Sequence, residues 1–306
     1  MAGRACAPKA FHAAPAVIHL KGSCLNTRAA VLAVASIGLL SGMDALIKAL
    51  SGQGYPTFQI AFMRFFIGAI LMVFVVAWRR PGWPGWASAR ANFMRGILSV
   101  LTASLFFYAL GQMPMAEVFA LTFLSPVFLA LFGVVLLGET ATPRTLAALA
   151  AGFAGMLVIV FAGGGFEGAG RSMTGVLAAL ASAVTYALAM VLLRSLAKKD
   201  PVETIVLLQN VFPALLLAGL AWWVWRPIQP DDMRFMLSMG ALGTIGHLLL
   251  TRAFALAEAA RLAPLEYTGL VWAILFGWYF FQETPQVMTM AGAGLIVAGA
   301  MIASRK

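Results

Sequence analysis

The run Phe58–Trp78, FQIAFMRFFIGAILMVFVVAW, contains one charged residue, Arg64, and no proline. At about 1.5 Å of rise per residue it makes a helix of roughly 30 Å, the thickness of the hydrocarbon core of a bilayer. Runs of similar length lie on either side. Between charged and Pro/Gly clusters the chain divides into spans near 30–50, 58–78, 93–112, 117–137 and 144–163, then 174–195, 203–224, 234–256, 262–281 and 287–304. The composition agrees: 62% of residues are hydrophobic and 10% charged, against about 25% charged in a soluble domain. The expected fold is an all-α membrane protein of ten transmembrane helices.

The second five spans repeat the first five. Displacing the chain by 145 residues lays Val31-Leu32-Ala33 on Val176-Leu177-Ala178, Pro56 on Pro201 and Trp78 on Trp223; at 144, Glu139-Thr140 falls on Glu283-Thr284 and Gly155 on Gly299. Each match is weak alone, but their order and near-constant offset make a repeat. Five spans is an odd number, so the second copy lies inverted in the membrane, as in secondary transporters. The expected organisation is a cytoplasmic tail over 1–29, a first repeat over 30–163, a Gly-rich linker over 164–173 and a second repeat over 174–304. The connection Arg79 to Arg95 is the longest, and its Pro81, Trp83, Pro84 and Trp86 are expected to lie along the inner interface.

The net charge of +10 is distributed as a topology signal, not as a nucleic-acid surface. With the N-terminus inside, the inner segments collect most of the basic residues, among them Arg79, Arg80, Arg90, Arg95, Lys198, Lys199 and Lys306; the outer ones hold Arg171, Arg226 and Arg234. This bias places both termini in the cytoplasm of a cell with the protein in its inner membrane. Cys6 and Cys24 fall in the reducing cytoplasmic tail, so no structural disulfide is expected. The tail is Ala-rich, lacks a long apolar core and is not ordered like a signal peptide. Small residues four apart, Ala148 and Gly152, Ala151 and Gly155, Gly294 and Ala298, let helices approach closely, within one chain or across a homodimer.

Two stretches resemble a known family. Ala116-Glu117-Val118-Phe119-Ala120-Leu121-Thr122-Phe123-Leu124-Ser125-Pro126, ending in Gly138-Glu139, and its partner Arg261-Leu262-Ala263-Pro264-Leu265-Glu266-Tyr267, followed by Leu270-Val271-Trp272 and Gln282-Glu283, resemble the drug/metabolite transporter superfamily in its EamA-type ten-helix branch. Within that branch, Met43–Lys48 and Phe62–Phe66 are similar to S-adenosylmethionine uptake carriers and bacterial riboflavin transporters. The resemblance implies two inverted repeats around a central cavity lined by the first four helices of each, and a carrier of a small organic metabolite. S-adenosylmethionine or riboflavin uptake competes with amino-acid or drug export.

An ionisable group inside a span costs about 2.5–3.5 kcal/mol on insertion scales. Asp44 and Arg64 both fall roughly 6 Å to the outer side of the midplane on antiparallel spans, so they can meet; Lys48 is one turn from Asp44. These three form either a charged cavity wall, with Arg64 attracting an anionic group and Asp44 a cation or proton, or an interhelical salt bridge. The equivalents of Arg64 and Asp44 in the other half are Gln209 and Ala189, so the repeat does not itself demand the charges. Glu266, after the kinking Pro264, is a second deep acid that either binds substrate or protons or pairs with Arg261 or Arg252. Pro126 and Pro213 read as kinks. His247 near the middle of its span suits packing or proton coupling. Tyr108, Tyr186, Tyr267 and Trp272 lie away from the interfaces and could stack on a ring or a cation. Glu139 and Glu283 close their spans and are expected to cap or anchor helix ends.

A membrane enzyme would need a catalytic cluster or nucleotide loop; the three histidines, two of them in the tail, supply none, and no metal spacing or cofactor motif is present. A channel lacks a visible selectivity segment. The expected partners are a small-molecule substrate and the lipid bilayer, with no nucleic acid.

Overall fold

Prolines 56 and 201, matched by the repeat, do the same structural work. Each stands immediately before a long helix with nearly the same backbone, φ −62° and ψ 140° at Pro56, φ −60° and ψ 139° at Pro201. The ring fixes φ where helices begin and its missing N–H is not needed there. The computed structural model describes residues 27–125, 172–196, 199–256 and 268–304, with isolated positions from 128 to 161 and at 265. Among the described residues it holds nine helices: α1 Thr27–Gly52, α2 Thr57–Arg79, α3 Trp86–Gln112, α4 Met115–Thr122, α5 Met173–Leu196, α6 Val202–Trp223, α7 Pro230–Leu256, α8 Thr268–Phe281 and α9 Val287–Ser304. Six of them, α1, α2, α3, α5, α6 and α7, are long and apolar enough to cross a membrane.

α1 packs along α7, α3 along α5, and α2 along α6 and α7. Side-chain contacts fix the directions. Arg79 at the end of α2 meets Glu203 at the start of α6, while Gln59 at the start of α2 bonds Arg226 just beyond the end of α6, so the two helices are antiparallel. Tyr55 after α1 bonds Asp232 at the start of α7, and Tyr108 near the end of α3 bonds Thr174 at the start of α5. Exchanging α1 for α5, α2 for α6 and α3 for α7 leaves these three pairings unchanged. The core between them holds fully buried Ile47, Leu50, Ile60, Leu110, Met115, Leu121, Met236 and Met239.

Outside the core the surface is apolar. Phe74, Trp78, Trp222, Trp223 and Tyr279 are each at least 68% exposed, an arrangement a soluble monomer rarely tolerates over a wide area. Six of the eight tryptophans gather at helix ends, Trp78, Trp83 and Trp86 around the α2–α3 connection and Trp222, Trp223 and Trp225 at the end of α6, where interfacial aromatic belts are found.

One expectation needs correction. The stretch Arg79–Arg95 is not one interfacial connection: α3 already begins at Trp86, after Gly85 in an extended conformation, so Arg95 sits within the helix, 4% exposed. α4 ends at Thr122 and the backbone tightens over Phe123 and Leu124, where the Leu124 N–H reaches back to Leu121 O at 3.2 Å; Pro126, two residues on, has no N–H to continue the ladder. α6 runs unbroken through Pro213. Much of the fifth span, the linker and the tail before Thr27 lie outside the described residues. Gly155 is described, and a Cβ there would lie 2.6 Å from Gly292 O of α9, so this small residue serves packing inside the chain.

A central cavity and a saturated latch

A cavity of about 260 Å³ lies between the two halves of the bundle. α1 brings Ser41 and Asp44, α2 Arg64, α3 Arg95, Ser99 and Thr102, α4 Phe119 and Thr122, α5 Ser182 and Tyr186, α6 Gln209, and α7 His247 and Thr251. On α3 the residues 95, 99 and 102 recur at helical spacing, so one stripe of an otherwise apolar helix is polar. Thr102 donates to Thr185 Oγ1 of α5 at 2.8 Å, joining the two halves across the cavity. Phe106, Phe107, Phe119 and Phe123 give the cavity an apolar wall, with Phe106 edge-on to Phe119 at 5.7 Å.

The charged groups are deeply buried: Arg64 is 2%, Arg95 4% and Asp44 6% exposed. Arg64 donates from Nη1 to Asn210 Oδ1 at 3.4 Å, and its guanidinium lies 4.2 Å from the Phe65 ring centre. Glycines make room for it. A Cβ on Gly243 would stand 3.0 Å from Arg64 Nε, and one on Gly68 would collide with Asn210 Oδ1 and lie 2.6 Å from Thr244 Oγ1. Arg95 donates from Nη2 to Gln209 Oε1 at 2.8 Å, and Gln209 Nε2 lies 3.4 Å from His247 Nδ1. Asp44 and Arg64 share the cavity, yet among the described residues no ion pair joins them. Asp44 Oδ1, Ser41 Oγ, and Nε and Nη1 of Arg95 are buried without hydrogen-bond partners among the described residues. Buried polar atoms are almost always satisfied. Four exceptions on the walls of one cavity form an arrangement that can hold a polar ligand.

Lys48 leaves this group. Its Nζ lies 2.9 Å from Glu283 Oε1 and donates to Leu110 O at 3.1 Å and to Met113 O. The other oxygen of Glu283 accepts the Met115 N–H, the first of α4, at 2.9 Å. Glu283 is aimed there by the left-handed Gln282, φ 56°, which returns the Glu283 N–H to Gly277 O at 3.0 Å. One carboxylate thus ties α1, the α3–α4 turn and the α8–α9 turn together, as an anchor for a helix end. A second tie at the same end joins Gln59, which both donates to and accepts from the Arg226 backbone, to Arg226 Nη1 on Gln53 O and Tyr55 on Asp232.

Of the remaining residues singled out in the sequence, Tyr186 and His247 line the cavity. Tyr108 bonds Thr174 Oγ1 at 3.0 Å near the end of α3, away from the cavity. Trp272 packs against α1 at Gly38 and stacks on Phe276 at 5.7 Å. Glu266, Tyr267, Pro126 and Glu139 lie outside the described residues. Arg95 was not singled out, and the polar stripe it begins on α3 was the signal.

The model of the EamA-like transporter family matches the chain twice, over residues 27–161 and 173–305. The pseudopaline exporter CntI of Pseudomonas aeruginosa is 31% identical over 90% of this chain and 95% of its own length. A riboflavin transporter of Brucella anthropi is 27% identical over 83% of this chain and 89% of that one. An S-adenosylmethionine uptake transporter of Rickettsia conorii is 21% identical over 84% and 85%. A solved crystal structure superposes with a TM-score of 0.64 at 23% identity, covering 91% of this chain and 96% of the other.

Proposed function

The chain belongs to the EamA-like transporter family, and on that footing we propose that it is a secondary carrier that moves a small organic metabolite through the central cavity by alternating access. It is a multi-pass membrane protein and a transporter, not an enzyme. In our reading ten spans form two inverted repeats, 30–163 and 174–304, that rock about a midplane site. The antiparallel pairing of α2 with α6, and the survival of the helix pairings when the halves are exchanged, support that arrangement. So does the double match of one family model. The charge distribution supports an inner-membrane protein with both termini in the cytoplasm. A second copy would meet this one along the outward-facing Gly294 of α9, where a Cβ would touch nothing.

The single observation that carries the reading is the set of buried, unpartnered polar atoms on Asp44, Ser41 and Arg95 around the 260 Å³ cavity. That volume is below the roughly 300–1,000 Å³ occupied by drug-sized ligands, which favours a solute of amino-acid size over a flavin. The 31% identity to an exporter favours outward movement over the uptake named for the riboflavin and S-adenosylmethionine relatives.

Counterflow tests the reading. Proteoliposomes preloaded with unlabelled L-histidine, S-adenosylmethionine or riboflavin are given the same labelled solute outside. Transient accumulation above that of empty vesicles for one of them is expected. Equal uptake by loaded and empty vesicles for every solute would contradict a carrier. Repeating the assay in oriented vesicles with the cytoplasmic face outward reads the direction.

A further inference from the structure

We propose that the α2–α3 end of the bundle carries a binding site for an anionic phospholipid, its headgroup held by Arg90 and Arg80 and its acyl chains laid along the outward face of α3. The site belongs to the membrane-spanning bundle itself and does not depend on what the cavity carries.

On α3, Trp86, Arg90, Phe93, Met94 and Leu101 are all exposed, and their spacing of three, four and seven residues places them on one helix face. Asn92 and Arg95, buried, lie on the opposite face. A guanidinium therefore stands in the middle of an outward apolar row on a spanning helix, where a charge is costly unless it is offset. Arg90 is one turn, roughly 6 Å, into the helix from Trp86. Helical side chains tilt toward the N-terminus, so the long arginine runs back to the level of Trp86. That level is the headgroup depth marked by Trp78, Trp83 and Trp86.

Arg80 is exposed beside it in sequence, across the short connection. It closes α2 in the left-handed region, φ 46° and ψ 52°, with its N–H on Val76 O at 2.8 Å. Glycine serves this cap with less strain, so the chain keeps a charged side chain here at a conformational cost. Among the described residues, neither the Arg80 nor the Arg90 guanidinium has a hydrogen-bond or ion-pair partner. The carboxylates of this end are engaged elsewhere: Glu203 is shared by Arg79 and Arg252 at 3.5 Å each, and Asp200 accepts from Asn92 Nδ2 at 3.5 Å. The missing partner is an anion, and it must come with an apolar body to cover Phe93, Met94 and Leu101. A phospholipid joins the two. The guanidinium fork matches a phosphate bidentately. In a zwitterionic lipid the headgroup's own ammonium competes for that phosphate, so an acidic headgroup such as phosphatidylglycerol is preferred.

The test uses the full-length protein in phosphatidylcholine vesicles holding a minor fraction of phosphatidylglycerol with brominated chains, and in the converse mixture. Bromine quenches nearby tryptophan. Quenching should report about fivefold enrichment of phosphatidylglycerol over phosphatidylcholine, the scale of one basic residue at an anionic lipid surface. Arg80→Gln with Arg90→Gln should abolish the enrichment, Arg90→Lys should keep part of it, and Trp86→Phe should remove much of the excess quenching. Arg234→Gln, exposed at the start of α7, should leave it unchanged. The lipid-free melting temperature in detergent checks that each variant folds. Equal quenching by the two lipids, or enrichment that survives loss of both arginines, would overturn the proposal. So would equal loss in Arg234→Gln, which would assign the preference to net charge. Release of the lipid by millimolar inorganic phosphate would assign the arginines to a soluble anion and overturn it as well.

Discussion

Asp44 and Lys48 are one turn apart on α1, and their surroundings are opposite. Lys48 ends in a latch where its ammonium finds a carboxylate and two backbone carbonyls, and where that carboxylate also holds the first N–H of α4. Asp44 ends in a cavity with one oxygen unpartnered. Both charges are costly at membrane depth, so each must be offset. The latch saturates its charge within the protein, whereas Asp44 Oδ1 stays without a hydrogen-bond partner on the cavity wall. Saturation separates the latch from the cavity, although Asn92 Oδ1, Ser104 Oγ and Thr289 Oγ1 are also buried without partners away from the cavity. Arg95, with two bare donors, falls on the side of Asp44.

The contrast makes predictions, and the largest concerns the cavity. Arg95→Gln should lower solute exchange in proteoliposomes by about a hundredfold, the scale of a lost charged hydrogen bond of about 3 kcal/mol, with the ligand-free melting temperature held or raised. Asp44→Asn should cost exchange about tenfold or more and likewise leave folding intact, since removing an uncompensated buried carboxylate relieves a desolvation penalty. Glu283→Ala should do the reverse. Losing both the Lys48 pair and the Met115 N–H should destabilise by about 2–3 kcal/mol in a denaturation series, with ligand affinity of the folded fraction unchanged. Gly68→Ala should cost about 1–2 kcal/mol by overpacking; it also displaces Asn210 from Arg64, so it should lower exchange more than Glu283→Ala does. The smallest effect belongs to the exposed end of the bundle. Arg79, 55% exposed at its side chain, pairs with Glu203 at 3.5 Å, and Arg79→Gln should change stability by less than about 1 kcal/mol.

Much of this is legible in the amino-acid sequence. The long spans follow from apolar runs of bilayer length, and the offset that lays Pro56 on Pro201 marks two helix starts with matching dihedrals. Asp44, Arg64, Tyr186 and His247 stand out as polar residues at membrane depth, and all four line the cavity. Arg95 did not stand out because Pro81, Pro84 and Arg90 nearby read as an interfacial connection. The chain instead turns into α3 at Trp86, and only the spacing of Arg95, Ser99 and Thr102 betrays a buried face. The partner of Lys48 was illegible for another reason. Its carboxylate comes from Glu283, far along the chain, and reaches it through the left-handed turn at Gln282. No local pattern carries such a pairing.

The most direct test compares Asp44→Asn with Glu283→Gln on two axes at once: the ligand-free melting temperature of the purified protein, and the shift produced by a saturating concentration of a solute that shows counterflow. The expected result is a crossing. Asp44→Asn keeps the melting temperature and loses the ligand shift, while Glu283→Gln loses melting temperature and keeps the shift. If both variants lose the same property, or if Asp44→Asn unfolds the protein while Glu283→Gln abolishes the ligand response, the division between an unsaturated site and a saturated latch is wrong.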